Sequence, residues 1–116
     1  MGIFNRFGKR REETPAFRRS MAKRLDGMAV KYVTERDSNA DSVSEEAVIG
    51  RGGALIVKAS ELLVYSDADV VFRGEIDRLS MSQLLSGDGV IIEGEDIEHG
   101  GKHRKIIAYY TYHLKI

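Results

Sequence analysis

Residues 54–73 read ALIVKASELLVYSDADVVFR, and this stretch decides the fold class. It contains three short apolar runs, which are Ala54 to Lys58, Glu61 to Tyr65 and Asp69 to Arg73. Residues typical of tight turns separate the runs, as in neighbouring strands of a hairpin. The connections are too short for a parallel pair, which needs a crossover of about a dozen residues. The stretch therefore predicts consecutive antiparallel strands.

The strand pattern continues on both sides of this stretch. Residues 30–35 alternate between apolar and polar side chains. Ala47 to Ile49 is apolar and precedes Gly50-Arg51-Gly52-Gly53, which predicts a hairpin turn or a bulge. Val90 to Glu93 and His103 to Leu114 predict two further strands. About seven strands with short connections predict a mainly β, α+β fold, either a small antiparallel barrel or a two-sheet sandwich.

An N-terminal helix is expected over residues 15–26. Thr14 offers a side-chain oxygen that can cap the helix, and Pro15 suits its first position. Gly27 can adopt a positive φ and therefore ends the helix. The apolar stripe that would face the sheet consists of Phe17, Met21 and Leu25.

The remaining pattern completes one domain. The apolar spacing between Ile76 and Leu85 predicts a short internal helix, with Ser80 as its N-cap. A chain of 116 residues is long enough for a single domain with its own core. We expect residues 14–116 to form this β-rich domain and residues 1–13 to form a basic N-terminal arm.

The charges are unevenly distributed along the chain. Lysine and arginine number 18 and aspartate and glutamate 18, so the formal net charge is zero. The first 36 residues nevertheless carry a net charge of +6, which the −6 of the other 80 residues cancels. Sign asymmetry of this kind points to a charged contact surface.

The arm and the helix after it are the candidate contact surface. Ile3, Phe4 and Phe7 have helical spacing, and basic residues lie beside them. Such a surface could bind the acidic part of the same chain, a second copy in a homo-oligomer, or another protein. An anionic membrane surface is an alternative, and nucleic acid is a less favoured one. The candidate residues are Ile3, Phe4, Arg6, Phe7, Lys9, Arg10, Arg11, Arg18, Arg19, Lys23 and Arg24.

Composition excludes several classes of protein. The chain has no cysteine, which excludes a disulfide scaffold, a thiolate metal site and a cysteine nucleophile. Its apolar runs are far shorter than the roughly 18 residues of a membrane-spanning helix. The residues after Met1 lack the apolar core of a secretory signal. We therefore expect a cytoplasmic protein, and we expect no cofactor.

Two histidines are weak candidates for metal ligands. His99 and His103 flank a Gly-Gly pair and could converge on one ion with Asp96 or Glu98. A catalytic zinc would still need a third ligand and an open position. No serine lies in a nucleophile motif. A metal-dependent enzyme is therefore the least favoured function, and we expect that the chain is not an enzyme.

Tyrosines near the C-terminus form a possible aromatic surface, with Tyr109 and Tyr112 on the last predicted strand. Aromatic rings on a strand can stack on nucleic-acid bases. Basic residues lie at only one end of this strand, so packing of the rings against the sheet is the favoured interpretation.

Three segments, Val71 to Ile76, Gly89 to Gly94 and Ile106 to Tyr110, resemble small uncharacterised bacterial proteins of unknown function. The resemblance spans residues 15–114 and includes no catalytic motif. It implies no activity. The leading hypothesis is therefore a non-enzymatic interaction domain that self-associates through the basic arm and helix, and the alternative is binding to an anionic membrane or nucleic acid.

Overall fold

A computed structural model describes residues 14–36 and 46–111 of the chain. The N-terminal helix, α1, spans Pro15–Leu25. Two 3₁₀ turns, Ile76–Arg78 and Ile97–His99, lie between strands. The seven strands are β1 (Ala29–Arg36), β2 (Glu46–Lys58), β3 (Glu61–Ser66), β4 (Asp69–Glu75), β5 (Ser80–Gln83), β6 (Gly89–Asp96) and β7 (Lys102–Tyr109). The basic arm and Tyr112 lie outside the described residues.

All seven strands form one antiparallel sheet in the order β4-β3-β2-β1-β7-β6-β5. This confirms the prediction of a mainly β chain with about seven antiparallel strands after a helix. The sheet is not closed by a backbone ladder. The sheet curls so far that β4 and β6, which are distant in the strand order, come into contact. The Arg73 backbone N–H on β4 donates to Asp96 Oδ1 on β6, 3.1 Å away. The architecture is therefore an open sheet that curls in the manner of a barrel.

The helix α1 packs on this sheet as predicted. The Phe17 backbone N–H donates to Thr14 Oγ1 at 3.1 Å, which confirms the cap. Gly27 follows the helix with a φ of 88°. Met21, Ala22 and Leu25 are buried against the sheet. No helix among the described residues is long and apolar enough to cross a bilayer.

The segment Gly50 to Gly53 does not form a hairpin turn. It lies inside β2, a single strand of 13 residues. The pairing of β2 with β1 shifts by one residue where Val33 pairs with Gly50 and Thr34 pairs with Val48, so a bulge lies at Ile49, directly before the predicted segment. A Cβ on Gly53 would overlap the carbonyl oxygen of Tyr65, so only glycine lets β3 pass this close.

The short internal helix predicted between Ile76 and Leu85 is wrong. One 3₁₀ turn occupies Ile76–Arg78, and β5 follows at Ser80–Gln83 and pairs with β6. Met81 is buried while Ser80 is exposed, which is the alternation of a strand. The 3₁₀ turn and β5 follow each other directly, and together they space their apolar residues as a helix would. The strand count stays at seven because β5 is added and β2 is continuous.

Candidate functional site

Asp96 is a fully buried carboxylate at the end of β6. Its oxygens accept hydrogen bonds from Arg104 and from the backbone N–H groups of Arg73 and Glu98, and His99 Nδ1 lies 2.6 Å from Oδ2. Burial alone would raise the pKa of Asp96. The hydrogen bonds from His99, Arg73 and Arg104 outweigh burial and hold this pKa below its usual value. Asp96 is therefore a buried anion.

Arg104 joins three strands from its position on β7. Its side chain is 12% exposed. Nε and Nη2 donate to the two carboxylate oxygens of Glu35 at 3.0 and 2.9 Å, and Nη1 donates to Asp96 and to the Val71 carbonyl. The hydrogen bond with Glu35 raises the pKa of Arg104 against the opposing effect of burial, and the same bond lowers the pKa of Glu35. Both groups are therefore charged, in the two-pronged geometry that arginine favours.

This buried pair closes the curled sheet. The outward edge of β4 presents the Arg73 N–H and the Val71 carbonyl, which have no partner strand. Asp96 accepts from the first group and Arg104 donates to the second. Buried backbone groups need such partners, and an open strand edge needs cover. The side chains of Asp96 and Arg104 therefore replace the missing backbone ladder between β4 and β6.

The structure does not bring the two candidate metal ligands together. His99 contacts Asp96, whereas His103 Nε2 lies 3.0 Å from Glu93 Oε2. Within residues 14–36 and 46–111, no group of three or more histidine, cysteine, aspartate or glutamate side chains is placed to hold a metal ion. The open cleft beside His99 is lined by Ile49, Asp69, Val70, Val71, Glu98 and Arg104, without a hydroxyl or thiol in that lining. The geometry therefore favours a structural role for this cluster.

Tyr109 is buried, so it does not belong to the possible aromatic surface, and the favoured interpretation of packing holds for this residue. Its ring stacks on Tyr32 with centroids 4.5 Å apart, and its hydroxyl donates to Glu46 Oε2 at 3.2 Å. Burial, with the charge of Glu46, raises the pKa of Tyr109 to about 12. Packing against the sheet is the correct alternative, since only 8% of Tyr109 is exposed.

The outer side of α1 carries three exposed cations, Arg19, Lys23 and Arg24, which we call the basic face. Arg19 forms a solvent-exposed ion pair with Asp77 at 3.3 Å. Lys23 and Arg24 form no ion pair with any described residue. Arg18 lies to one side, where its Nη1 donates to the Asp77 carbonyl. The basic face therefore keeps positive charge at the protein surface.

The carboxylates of the sheet are mostly neutralised within the chain. Each paired carboxylate lies within 3.9 Å of an arginine or histidine nitrogen. None of these ion pairs involves Lys23 or Arg24, so two of the three cations of the basic face are not neutralised by the paired carboxylates of the described residues. The paired carboxylates are Glu35, Glu46, Glu61, Glu75, Asp77, Glu93, Glu95, Asp96 and Glu98.

Sequence reasoning missed the role of Asp96 and Arg104. One signal was present, because Arg104 shares a strand face with Ile106 and Ala108, which are both fully buried. A charged residue in the apolar alternation of a strand marks a buried ion pair. The partner could not be chosen from sequence, since Glu35 is 69 positions away.

Comparison of the chain with protein-family models, with curated proteins and with solved structures gave no match. The resemblance to small bacterial proteins therefore stays a prediction.

Proposed function

We propose that this chain is a non-enzymatic binding domain whose contact surface is the basic face of α1, continued by the basic arm at residues 1–13. The observation that carries the proposal is the exposure of Lys23 and Arg24 without an ion-pair partner among the described residues. Unpaired cations on a rigid element attract and orient an anionic partner. The apolar side of α1 is buried in the core, so the helix presents these cations in a fixed position.

Two observations favour an external anionic partner over a second copy of the chain. Most carboxylates of the sheet already have cationic partners, which weakens their attraction for another α1. The apolar run Leu62-Leu63-Val64 is buried within one chain, so it leaves no apolar strand face there for a second copy to cover. Self-association stays a prediction, and so does the cytoplasmic location. The cytoplasm offers many anionic surfaces, including the inner leaflet of the membrane.

Heparin chromatography tests the contact surface without a known partner. The variant Lys23→Glu/Arg24→Glu is compared with Arg51→Glu/Lys102→Glu, which makes the same charge change at exposed cations on β2 and β7. We expect the α1 variant to elute from heparin at a much lower salt concentration than the wild type. The control variant should elute close to the wild type, because it changes the net charge but leaves the basic face intact. Equal shifts for both variants would contradict the proposal.

A further inference from the structure

The hairpin tip between β5 and β6 presents a fully exposed leucine. The relative exposure of Leu85 is 107%, the largest among the large apolar side chains found exposed in the described residues. The tip is nevertheless a closed turn, since the Gly87 N–H donates to the Leu84 carbonyl and the Leu84 N–H donates to the Gly89 carbonyl, both at 2.9 Å. Leu84 is partly buried beside it. The turn therefore holds Leu85 out into solvent.

This tip lies next to the C-terminal half of α1. Gln83, two residues before Leu85, donates from Nε2 to Met21 Sδ on the helix at 3.8 Å. The Tyr110 hydroxyl donates to Gln83 Oε1 at 3.3 Å. Burial raises the pKa of the Tyr110 hydroxyl, and the positive charge of Arg24 is near enough to oppose that rise. The base of the tip that carries Leu85 therefore contacts α1 at Met21, three residues before Arg24.

We infer that the anionic partner of the basic face is a lipid bilayer surface, with Leu85 inserted among the headgroups and Lys23 and Arg24 against anionic lipids. This inference rests on the function proposed above. A surface that combines apolar side chains with cations is what binding at an anionic membrane interface requires. Asp88, on the same tip, is half-buried and adds some repulsion, so the insertion is shallow.

The two other anionic partners fit this surface less well. A nucleic-acid backbone would pair with Lys23 and Arg24 but would leave Leu85 without an apolar environment. Tyr109 stacks on Tyr32 and is buried on the sheet, so its ring is not available to stack on a nucleic-acid base. A second copy of the chain could cover Leu85, but most carboxylates that it would bring to the basic face are already paired.

Vesicle flotation with the full chain tests the inference. The probes are vesicles of phosphatidylcholine alone and vesicles with about one third phosphatidylserine. Leu85→Ser is compared with Val48→Ser, which removes a 48% exposed valine from β2, at the end of the β1–β2 pair that is remote from α1. Thermal unfolding of each variant checks that the fold is kept.

We expect binding to the phosphatidylserine vesicles only. Leu85→Ser should weaken this binding about fivefold or more, because a buried leucine side chain contributes a large share of interfacial affinity. Lys23→Glu/Arg24→Glu should weaken it on the order of 30-fold, since each cation near an anionic surface adds affinity. Val48→Ser should bind within about twofold of the wild type.

Absence of binding, equal binding to both kinds of vesicle, or indifference to Leu85→Ser would overturn the inference. A change of molar mass in solution caused by Leu85→Ser would also overturn it and would assign Leu85 to a second copy. If the vesicles are not bound but heparin still separates the α1 variant from its control, the proposed binding function stands and only the bilayer is excluded. If both tests fail, the proposed function fails as well.

Discussion

Asp96 and Arg104 bind each other across the β6–β7 hairpin, and together they occupy the outward edge of β4. A β-sheet edge normally needs another strand or a covering element. Here a carboxylate accepts from the Arg73 N–H and a guanidinium donates to the Val71 carbonyl. The charged pair therefore supplies hydrogen bonds that a neighbouring strand would otherwise supply to β4. The contact between β4 and β6 depends on these two side chains.

Replacing Arg104 should destabilise the fold strongly. Arg104→Met would leave Asp96 buried without its cation and would leave the Val71 carbonyl without its donor. Breaking a buried ion pair by removing one partner costs about 3–5 kcal/mol of unfolding free energy. Urea unfolding measures this change. Amide hydrogen exchange at Arg73 should accelerate in the variant, because its acceptor Asp96 loses the group that orients it.

The matched control for this change is Arg19→Met. The substitution is the same, but Arg19 belongs to an ion pair with Asp77 in which both side chains are more than half exposed. Exposed ion pairs contribute roughly 0–1 kcal/mol. Similar losses for Arg19→Met and Arg104→Met would contradict the closing role of Arg104.

Acid should remove part of the stability through Asp96 and Glu35. The pKa values of both carboxyls are lowered in the folded chain, so the unfolded chain binds protons first as the pH falls. Their contribution is complete above the unfolded pKa values of about 4 and is lost as the pH falls through the folded values. Urea unfolding between pH 7 and the acid range measures the loss. Asp96→Asn should have a lower stability at pH 7 and a smaller further decrease in acid.

The control for the acid series is Asp77→Asn, which removes an exposed carboxylate near α1. We expect its stability at neutral pH to stay near that of the wild type. If Asp96→Asn and the wild type lost stability in parallel through the acid range, Asp96 would not be the buried anion that the geometry indicates.

Part of this fold followed from the sequence for local physical reasons. The cap at Thr14 and the apolar stripe of α1 depend on neighbours within a few residues. The alternation predicted for β1 breaks at Val33 and Thr34, which are both buried. The continuity of β2 through Gly53 could not be predicted in the same way. It depends on the close approach of β3 at Tyr65, which is a property of the sheet and not of the glycines alone.

Of the features described at the candidate site, the sequence predicted only the basic face of α1. The basic face follows from helical periodicity and composition, which are local. The burial of Tyr109 depends on its pairing with Tyr32, and the closure by Arg104 depends on strand order. Leu85 was assigned to a helix because its context in the β5–β6 tip was not recognised. Features that depend on nearby residues could therefore be predicted from the sequence, whereas features that depend on contacts between distant strands could not.

Alkaline conditions should destabilise the fold through Tyr109. Its pKa is raised to about 12 in the folded chain, above the usual value near 10. The folded state therefore holds the hydroxyl proton more tightly than the unfolded state does. The contribution of Tyr109 to the unfolding free energy is present below about pH 10 and is lost as the pH rises towards 12. Tyr109→Phe should flatten the decrease of unfolding free energy in this window, measured by urea unfolding. Glu46→Gln should flatten it partly, because it removes the nearby negative charge. An unchanged slope in both variants would contradict the burial of the hydroxyl.

Light scattering after size exclusion separates an external partner from self-association. We expect the full chain to be a monomer at micromolar concentration, because the carboxylates that a second copy would offer to Lys23 and Arg24 are mostly paired within their own chain. Lys23→Glu/Arg24→Glu should then leave the molar mass unchanged. A dimer that dissociates in this variant, and persists in Arg51→Glu/Lys102→Glu, would instead make the second copy the partner of the basic face. Salt sensitivity of such a dimer would identify charge as its cause, since ions screen exposed charges over about 10 Å or less at moderate ionic strength.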